Sequence, residues 1–513
     1  MNREEASEGP RIDRREARIA GALGAAVALS VMWLIASILA SARFAPEALG
    51  DLFIRGAPGD LATFFIESLD HWALRILIAL VLIGSVLAGG EILWRTSSNT
   101  GLRNWSAAGI IGTAGIAAIT FGPAAGTNRI ASSVVVVIGA VVYAFASSAV
   151  HRSIVAPLAD PTRRQTFRLA VGGAGALALA GGIVGWLLRR LSGPDRDVEL
   201  VAPAVTATVP DRPAWPKIPG LTPEITATED HYVVDIDLFS PSVEAEGWVL
   251  SIGGMVDSPM ELAFSQLQDR FEVVEEYSVL VCVSNEVGGD LIGHSAWGGV
   301  RLAEVLEAAG MNEEAVDVVF TGADGYTDSI PLEAALAPTT LLAVSQNGSP
   351  LEQDHGFPCR VRVPSIYGMK NVKWLESIEL VGKDFNGYWA QRGWSDEAII
   401  KTESRIDVPQ DRASVPSGQE TWIAGIAWAG DRGVSKVEVS LDDGSSWEEA
   451  MLKEPIAANS WHQWAYRWTP ETSGGIELFC RATDGEGKVQ TEETAPPHPA
   501  GASGYHSVSV QVS

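Results

Sequence analysis

Hydrophobic and polar positions are laid out along this chain in two different ways. Over residues 1–192 the apolar residues come in unbroken blocks, at 19–41, 72–94, 105–125, 130–150 and 169–188. Each is close to the ~20 residues that an α-helix needs to cross a ~30 Å hydrocarbon core, so the pattern predicts an α-helical membrane domain of about five spans. Beyond them, Pro194, Pro203, Pro210, Pro213, Pro216 and Pro219 punctuate residues 193–229, which predicts an extended, semi-rigid spacer. Residues 230–400 mix β-rich runs, such as 248–252 and 278–281, with a helical repeat at 302–309 that stops at Gly310, an α+β pattern. From residue 401 to 513 the runs at 422–428, 434–441, 461–468, 475–483 and 505–512 are short and β-rich. Asp443-Gly444, Gly474-Gly475 and Asp484-Gly485 supply turns between several of them. That spacing predicts an all-β sandwich of immunoglobulin-like type.

Charge sharpens the division. Residues 1–192 carry 17 Arg, no Lys and 12 acids, whereas the remainder carries 20 basic and 51 acidic residues of a chain whose net charge is −26. Arg11, Arg14, Arg15 and Arg18 precede the first block, Arg95 and Arg103 separate the second from the third, and Arg152, Arg163, Arg164 and Arg168 separate the fourth from the fifth. The positive-inside rule puts these groups in the cytoplasm and, with five spans, residues 193–513 outside; Arg189 and Arg190 weigh weakly the other way. The first block is long for a cleaved signal and reads as an anchor. Arg75 and Glu91 fall near the ends of the second, where long side chains reach the interface. A strongly acidic exported surface repels nucleic acid and anionic lipid. His71 and His151 fall at opposite membrane faces and cannot share a haem, so these spans read as an anchor, and the scarcity of charge within them argues against a transporter. Three cysteines are too few for a disulfide scaffold; a Cys359–Cys480 bridge is one reading and buried thiols the other.

Chemistry concentrates in two segments. The first is the run Tyr277-Ser-Val-Leu-Val-Cys282-Val-Ser-Asn285-Glu286-Val-Gly288-Gly289-Asp290. The second is Asp354-His355-Gly356-Phe357-Pro358-Cys359-Arg360, followed by Gly368-Met-Lys370-Asn371-Val-Lys373-Trp374-Leu375. A thiolate is a soft ligand for a transition metal, and a His, Arg and Lys cluster suits a phosphate-bearing group. Taken singly, Cys282 reads as a small buried hydrophobe and the second segment as a turn.

Together with Trp297-Gly-Gly299, Ser329-Ile-Pro331 and Asn347-Gly348 in the same order, they resemble the sulfite-oxidase family of molybdopterin enzymes, from about Glu229 to the C-terminus. The resemblance implies a molybdopterin-binding domain at 230–400 and a dimerisation domain at 401–513. It implies Cys282 as metal ligand and catalytic residue, Asn285 shaping its loop, and His355, Arg360 and Lys373 as cofactor contacts, with Lys370 and Asn371 as weaker ones. It also gives meaning to Thr162-Arg163-Arg164-Gln165-Thr166-Phe167-Arg168-Leu169. That stretch is either a basic anchor or a twin-arginine signal with one extra residue, and a cofactor inserted in the cytoplasm favours the export signal.

The departures are as informative. Glu286 and Val287 stand where the family has arginines that help bind sulfite, and Trp394 where it has a catalytic Tyr. Losing cations and gaining a carboxylate weakens the hold on a dianion. His294, Arg392 and Arg405 are then the candidate substrate contacts. The expectation is a membrane-anchored, extracytoplasmic molybdopterin oxidoreductase that transfers oxygen on a small substrate, by sulfoxide or N-oxide reduction or by sulfite oxidation. An unidentified protein exchanges its electrons, and a homodimer forms through the C-terminal domain. The alternative is a non-enzymatic binding or adhesion protein built on the β-sandwich, which needs neither motif.

Overall fold

The computed structural model describes residues 14–39, 42–59, 61, 63–65, 72–96, 103–122, 128–155, 172, 173, 176, 178–188, 198–206, 209–237 and 240–513. They fall into two units, Met1–Pro194 with Asp235–Ser242, and Asp195–Val234 with Val243–Ser513.

Within the first unit, four helices among the described residues are long and apolar enough to cross a membrane: Arg14–Ile38, Trp72–Arg95, Asn104–Phe121 and Arg129–Arg152. Small residues let them approach closely. A Cβ on Gly21 would meet the Gly89 carbonyl oxygen at 2.5 Å, and one on Gly24 would meet Ser147 Cβ at 2.8 Å. Glu91 accepts from Arg18 Nε at 2.8 Å and from Arg95 Nε at 2.9 Å, so it is an ion-paired carboxylate as well as a residue near a helix end. The fifth apolar block is helical over Ala178–Leu188. Arg163, Arg164, Arg168, Arg11 and His71 lie outside the described residues.

The second unit begins with an α+β region of two sheets. One has the order β2-β1-β10-β5-β6, built from β1 (Val249–Gly254), β2 (Met260–Ala263), β5 (Asp317–Gly322), β6 (Thr327–Pro331) and β10 (Leu375–Val381). The other has the order β3-β4-β7-β8, from β3 (Val273–Val281), β4 (Ile292–Arg301), β7 (Leu341–Gln346) and β8 (Ser349–Pro350), with β9 (Arg360–Arg362) also paired to β7. Helix Leu302–Ala308 follows β4 and ends before Gly310, whose φ of 69° suits glycine.

The C-terminal region is β-rich. One sheet has the order β11-β13-β17-β16 and the other β12-β19-β18-β14-β15. Their strands are β11 (Glu403–Val408), β12 (Ser414–Val415), β13 (Thr421–Trp428), β14 (Val434–Ser440), β15 (Glu448–Glu449), β16 (Met451–Leu452), β17 (His462–Trp468), β18 (Gly474–Asp484) and β19 (His506–Val512). Alternate residues of the two sheets meet in one core: Ile423, Trp464 and Trp468 from the first, Val437, Val439, Leu478, Cys480, Val508 and Val510 from the second.

The Pro-rich stretch departs from expectation. From residue 198 it lies on the second unit and is not a free spacer. The Ala204 amide donates to the Val273 carbonyl at 2.8 Å and the Glu275 amide to the Val205 carbonyl at 2.9 Å, which extends the sheet beside β3. Trp215, Ile218 and Leu221 pack with Ala424 and Ala465. Their spacing of three matches the period of an extended polyproline helix, so one side of the strip is apolar and buries itself.

Candidate active site

β3 carries the site because its two faces meet different surroundings. Alternation puts Ser278, Leu280 and the following Cys282 on one face, with Gly293, Ser295 and Trp297 of β4 beside them through the pairs Ser278↔Ser295 and Leu280↔Gly293. The opposite face carries Val279, Val281 and Val283, packed with Ile292, Trp394, Trp428 and Trp461.

Cys282 sits at the neck of the β3–β4 loop and is 7% exposed. Its amide donates to the Leu291 carbonyl at 2.9 Å. Asn285 closes the turn: its amide donates to the Cys282 carbonyl at 3.0 Å, and its Oδ1 accepts the Leu291 amide at 2.9 Å. The buried Asn285 Nδ2 has no partner among the described residues. Glu286 is exposed beside this neck. None of the three cysteines is in a disulfide. Burial pushes the Cys480 thiol up to about 12 and the Cys359 thiol well above its ordinary value, so both stay protonated and inert.

A cationic cluster covers the same face. The Trp297 ring is fully buried, with the Arg360 guanidinium 5.3 Å and that of Arg362 5.1 Å from its centroid. His231 meets Trp297 edge-on at 5.8 Å and His355 at 5.4 Å. Arg360 is oriented by the carbonyls of His355 at 3.0 Å and Asn371 at 3.1 Å. Arg362 donates to Asn371 Oδ1, to Ser278 Oγ at 2.6 Å and to the Val279 carbonyl at 3.1 Å, all neutral partners. Lys373 reaches the Asp354 carbonyl at 2.8 Å. Gly356, with φ of 106°, lets these side chains converge, because a Cβ there would sit 3.0 Å from Lys373 Cβ and 3.1 Å from Arg360 Cβ.

The electrostatics match the composition. Burial, then His355 and the two guanidiniums, lowers His231 to about 3. Burial with Arg360 and Lys373 lowers His355 to about 4, and burial with Arg360 lowers Arg362 to about 9. An anion seated here would oppose each of these shifts. Tyr232 joins the cluster to the cysteine. A Cβ on Gly368 would meet its hydroxyl at 2.8 Å and the Val281 carbonyl at 3.3 Å. Burial and Cys282 raise the Tyr232 pKa, while Arg360 and Arg362 oppose them.

The structure therefore brings Cys282, Asn285, His355, Arg360 and Lys373 to one region and sends other candidates elsewhere. Trp394 packs against the opposite face of β3, with its ring 5.9 Å from Trp389 and 5.0 Å from His498. Lys370 gives its ammonium to Asp328 at 3.1 Å, Ser329 O at 2.9 Å and Asp396 at 2.8 Å, a buried ion cluster of its own. Asn371 braces both arginines through its carbonyl and side chain. Arg392 stacks on Tyr388, its guanidinium 3.6 Å from the ring centroid. His294 lies on the Trp394 face, 5.5 Å from Trp461, and burial lowers it to about 4. Arg405 holds a backbone carbonyl of the cysteine loop. Sequence reasoning missed Arg362, His231 and Tyr232. Arg362 was readable as the next same-face residue after Arg360 in a strand; nothing local marks His231.

Comparison with known proteins agrees with this geometry. Residues 238–389 match the oxidoreductase molybdopterin binding domain family, and residues 397–511 match the Mo-co oxidoreductase dimerisation domain family. A sulfite oxidase of Gallus gallus is 32% identical over 326 residues, covering 54% of this chain and 69% of that one. The chain belongs to the sulfite oxidase family.

The mitochondrial sulfite oxidase of Rattus norvegicus is 35% identical over 238 residues, and there the match spans 40% of this chain and 43% of the relative. The sulfane dehydrogenase SoxCD of Paracoccus pantotrophus shares the fold, with a TM-score of 0.50, 21% identity, and 57% and 84% of the two chains covered. This member of the sulfite oxidase family is accordingly a molybdenum oxidoreductase that performs oxygen-atom transfer with a molybdopterin cofactor. Its residues fit that group: a converging set of imidazoles and guanidiniums, with the buried Arg362 Nε–H lacking an acceptor among the described residues, suits a phosphate-bearing pterin.

Proposed function

We propose that this chain is a membrane-anchored, extracytoplasmic enzyme that reduces a small neutral sulfoxide or N-oxide in preference to oxidising sulfite. The observation that carries this is the commitment of the candidate anion contacts. Arg405 is tied to Gly289 O at 2.6 Å, Arg392 stacks on Tyr388, and His294 is buried on the opposite face of β3, while Glu286 stands exposed beside Cys282. A carboxylate at that mouth disfavours a dianion and is indifferent to a neutral oxide.

In this reading Cys282 supplies the thiolate that holds the metal, and His231, His355, Arg360, Arg362 and Lys373 grip the pterin and its phosphate. Asn285 fixes the loop between them. The bound molybdenum cofactor supplies two-electron oxygen-atom exchange, and the overall balance is oxide, two electrons and two protons giving sulfide or amine and water. The protein's part is orientation and exclusion of bulk water. The electrons come from a redox partner of unassigned identity. The four long apolar helices, the fifth apolar block with its helix Ala178–Leu188 and the arginine-rich segments beside them support a five-span anchor with the second unit outside, and the Arg163-Arg164 motif supports export in a folded, cofactor-loaded state. The C-terminal β-domain is read as an immunoglobulin-like sandwich through which two copies associate.

Steady-state assays of the molybdenum-loaded protein with dye donors and acceptors test the substrate. Dimethyl sulfoxide or trimethylamine N-oxide reduction is expected to exceed sulfite oxidation in kcat/KM by at least about tenfold, the worth of one lost charge-assisted hydrogen bond. Sulfite oxidation with a micromolar KM and no oxide reduction would reverse the assignment.

A further inference from the structure

The loop that carries Cys282 is gripped from outside its own domain. β11 and β19 of the C-terminal region reach it at two successive peptides. Arg405 of β11 donates from Nη1 to the Gly289 carbonyl at 2.6 Å. The same guanidinium donates from Nε to Asp407 Oδ1 at 2.8 Å and from Nη2 to Thr222 Oγ1 at 2.9 Å. Asp407 in turn accepts the Thr222 amide at 3.1 Å, so the fork is held at three points and is only 13% exposed.

The neighbouring peptide is held by shape. Gly288 has φ of 78°, and a Cβ there would lie 2.1 Å from His506 Cδ2 and 2.3 Å from its Nε2. The His506 ring is fixed because its Nδ1 accepts the Ile406 amide at 3.0 Å, which also leaves the imidazole proton on Nε2, toward Gly288. Arg405 and Ile406 are consecutive, so one stretch of β11 sets both contacts. Across the loop, the Gly289 amide bonds the Glu286 carbonyl at 2.8 Å, and Asn285 ties the chain back to Cys282 and Leu291. A displacement of the Gly289 carbonyl is thereby passed to the cysteine through two hydrogen-bonded turns.

We infer that Arg405, with His506 beneath Gly288, is a positioning residue through which the C-terminal domain sets the placement of the Cys282 sulfur. The inference rests on the reading of Cys282 as the metal's thiolate ligand. A long cation spent on one carbonyl, a carboxylate and a hydroxyl makes a rigid brace, because a planar fork fixes direction where an ammonium would not.

The test uses the full-length, molybdenum-loaded protein and its Arg405→Met, Arg405→Lys, Asp407→Asn and Cys282→Ser variants. Metal and pterin content, thermal midpoint, the thiolate-to-molybdenum charge-transfer absorption, and kcat and KM are measured, using dimethyl sulfoxide or sulfite, whichever is turned over. Arg405→Met is expected to keep its cofactor, shift the absorption band and lose roughly tenfold in kcat with little change in KM, as for the loss of a group that orients a metal ligand. Arg405→Lys recovers part of that loss, since an ammonium reaches Gly289 O without fixing the fork, and Asp407→Asn shifts the band less in the same direction. If Arg405→Met fails to load, the Lys and Asn variants decide. An unmoved band and kcat with a lowered thermal midpoint would make Arg405 a domain clamp only and overturn the inference. A Cys282→Ser protein that keeps the band and turnover would instead overturn the reading of Cys282 beneath it.

Discussion

The two faces of β3 differ in what their buried polar groups are given. On the Cys282 face, Arg362 has only neutral partners, and a buried Arg362 N–H and the His231 Nε2 each lack a partner among the described residues. On the other face Val279, Val281 and Val283 meet the aromatic side chains of Trp394, Trp428 and Trp461, which seal the α+β region against the β-rich one. Burying cations without counter-charge is costly unless a ligand completes them, whereas apolar packing needs nothing further. The difference separates residues that wait for a partner from residues that hold the frame, and a single shift of strand register would exchange the two sets.

The largest test exchanges the faces. Cys282→Ser is expected to abolish turnover, by a factor of roughly a thousand or more, while folding is retained, because a hydroxyl does not replace a soft thiolate. Trp394→Phe on the opposite face is expected to lower stability by about 1–3 kcal/mol and leave kcat within a few-fold, as for a large-to-smaller core change. Turnover of the molybdenum-loaded Cys282→Ser protein, or loss of turnover in a folded Trp394→Phe protein, would break the comparison.

A smaller effect is expected from Arg362→Met. It removes a cation without leaving a buried carboxylate behind, so the cost to the cofactor-free protein is confined to the acceptors on Asn371, Ser278 and Val279 that lose a donor. Pterin retention should fall roughly ten- to a hundredfold, the worth of a charge-assisted hydrogen bond. Equilibrium dialysis followed by pterin fluorescence would measure it, and undiminished retention would remove Arg362 from the site.

The smallest effect is a dependence on pH. His231 is lowered to about 3 and His355 to about 4 in the folded protein, against 6.5 as the ordinary value. Both are neutral when folded and take up protons when unfolded below about pH 6.5, so the unfolded state binds more protons and stability falls as pH drops from 6.5 toward 4. At pH 5 each contributes roughly 1–2 kcal/mol of loss. Denaturant titrations at pH 7 and 5 should show this in cofactor-free protein and a shallower slope once the cofactor is bound, because an anion raises both values. Equal slopes would mean that no anion reaches the two imidazoles.

Much of this molecule was legible before any coordinates. The apolar blocks marked the four long apolar helices found among the described residues, because the bilayer thickness fixes their length. The β-rich runs at 422–428, 434–441 and 505–512 became β13, β14 and β19, since branched and aromatic residues between Gly turns leave little choice. Cys282, His355, Arg360 and Lys373 could be singled out only through the resemblance to a known family, because singly a cysteine reads as a buried hydrophobe and the second segment as a turn. What sequence could not supply was which side chains share a space. Lys370 and Arg360 look alike along the chain, yet one meets Asp328 and Asp396 and the other carbonyls over Trp297. Trp394 lies at a position suggestive of catalysis and is turned to the far face of β3. His231 enters from just beyond the Pro-rich strip and Arg405 from a second domain. Such convergence is decided by long-range pairing, where residues more than a hundred positions apart meet, and local propensity carries no information about it.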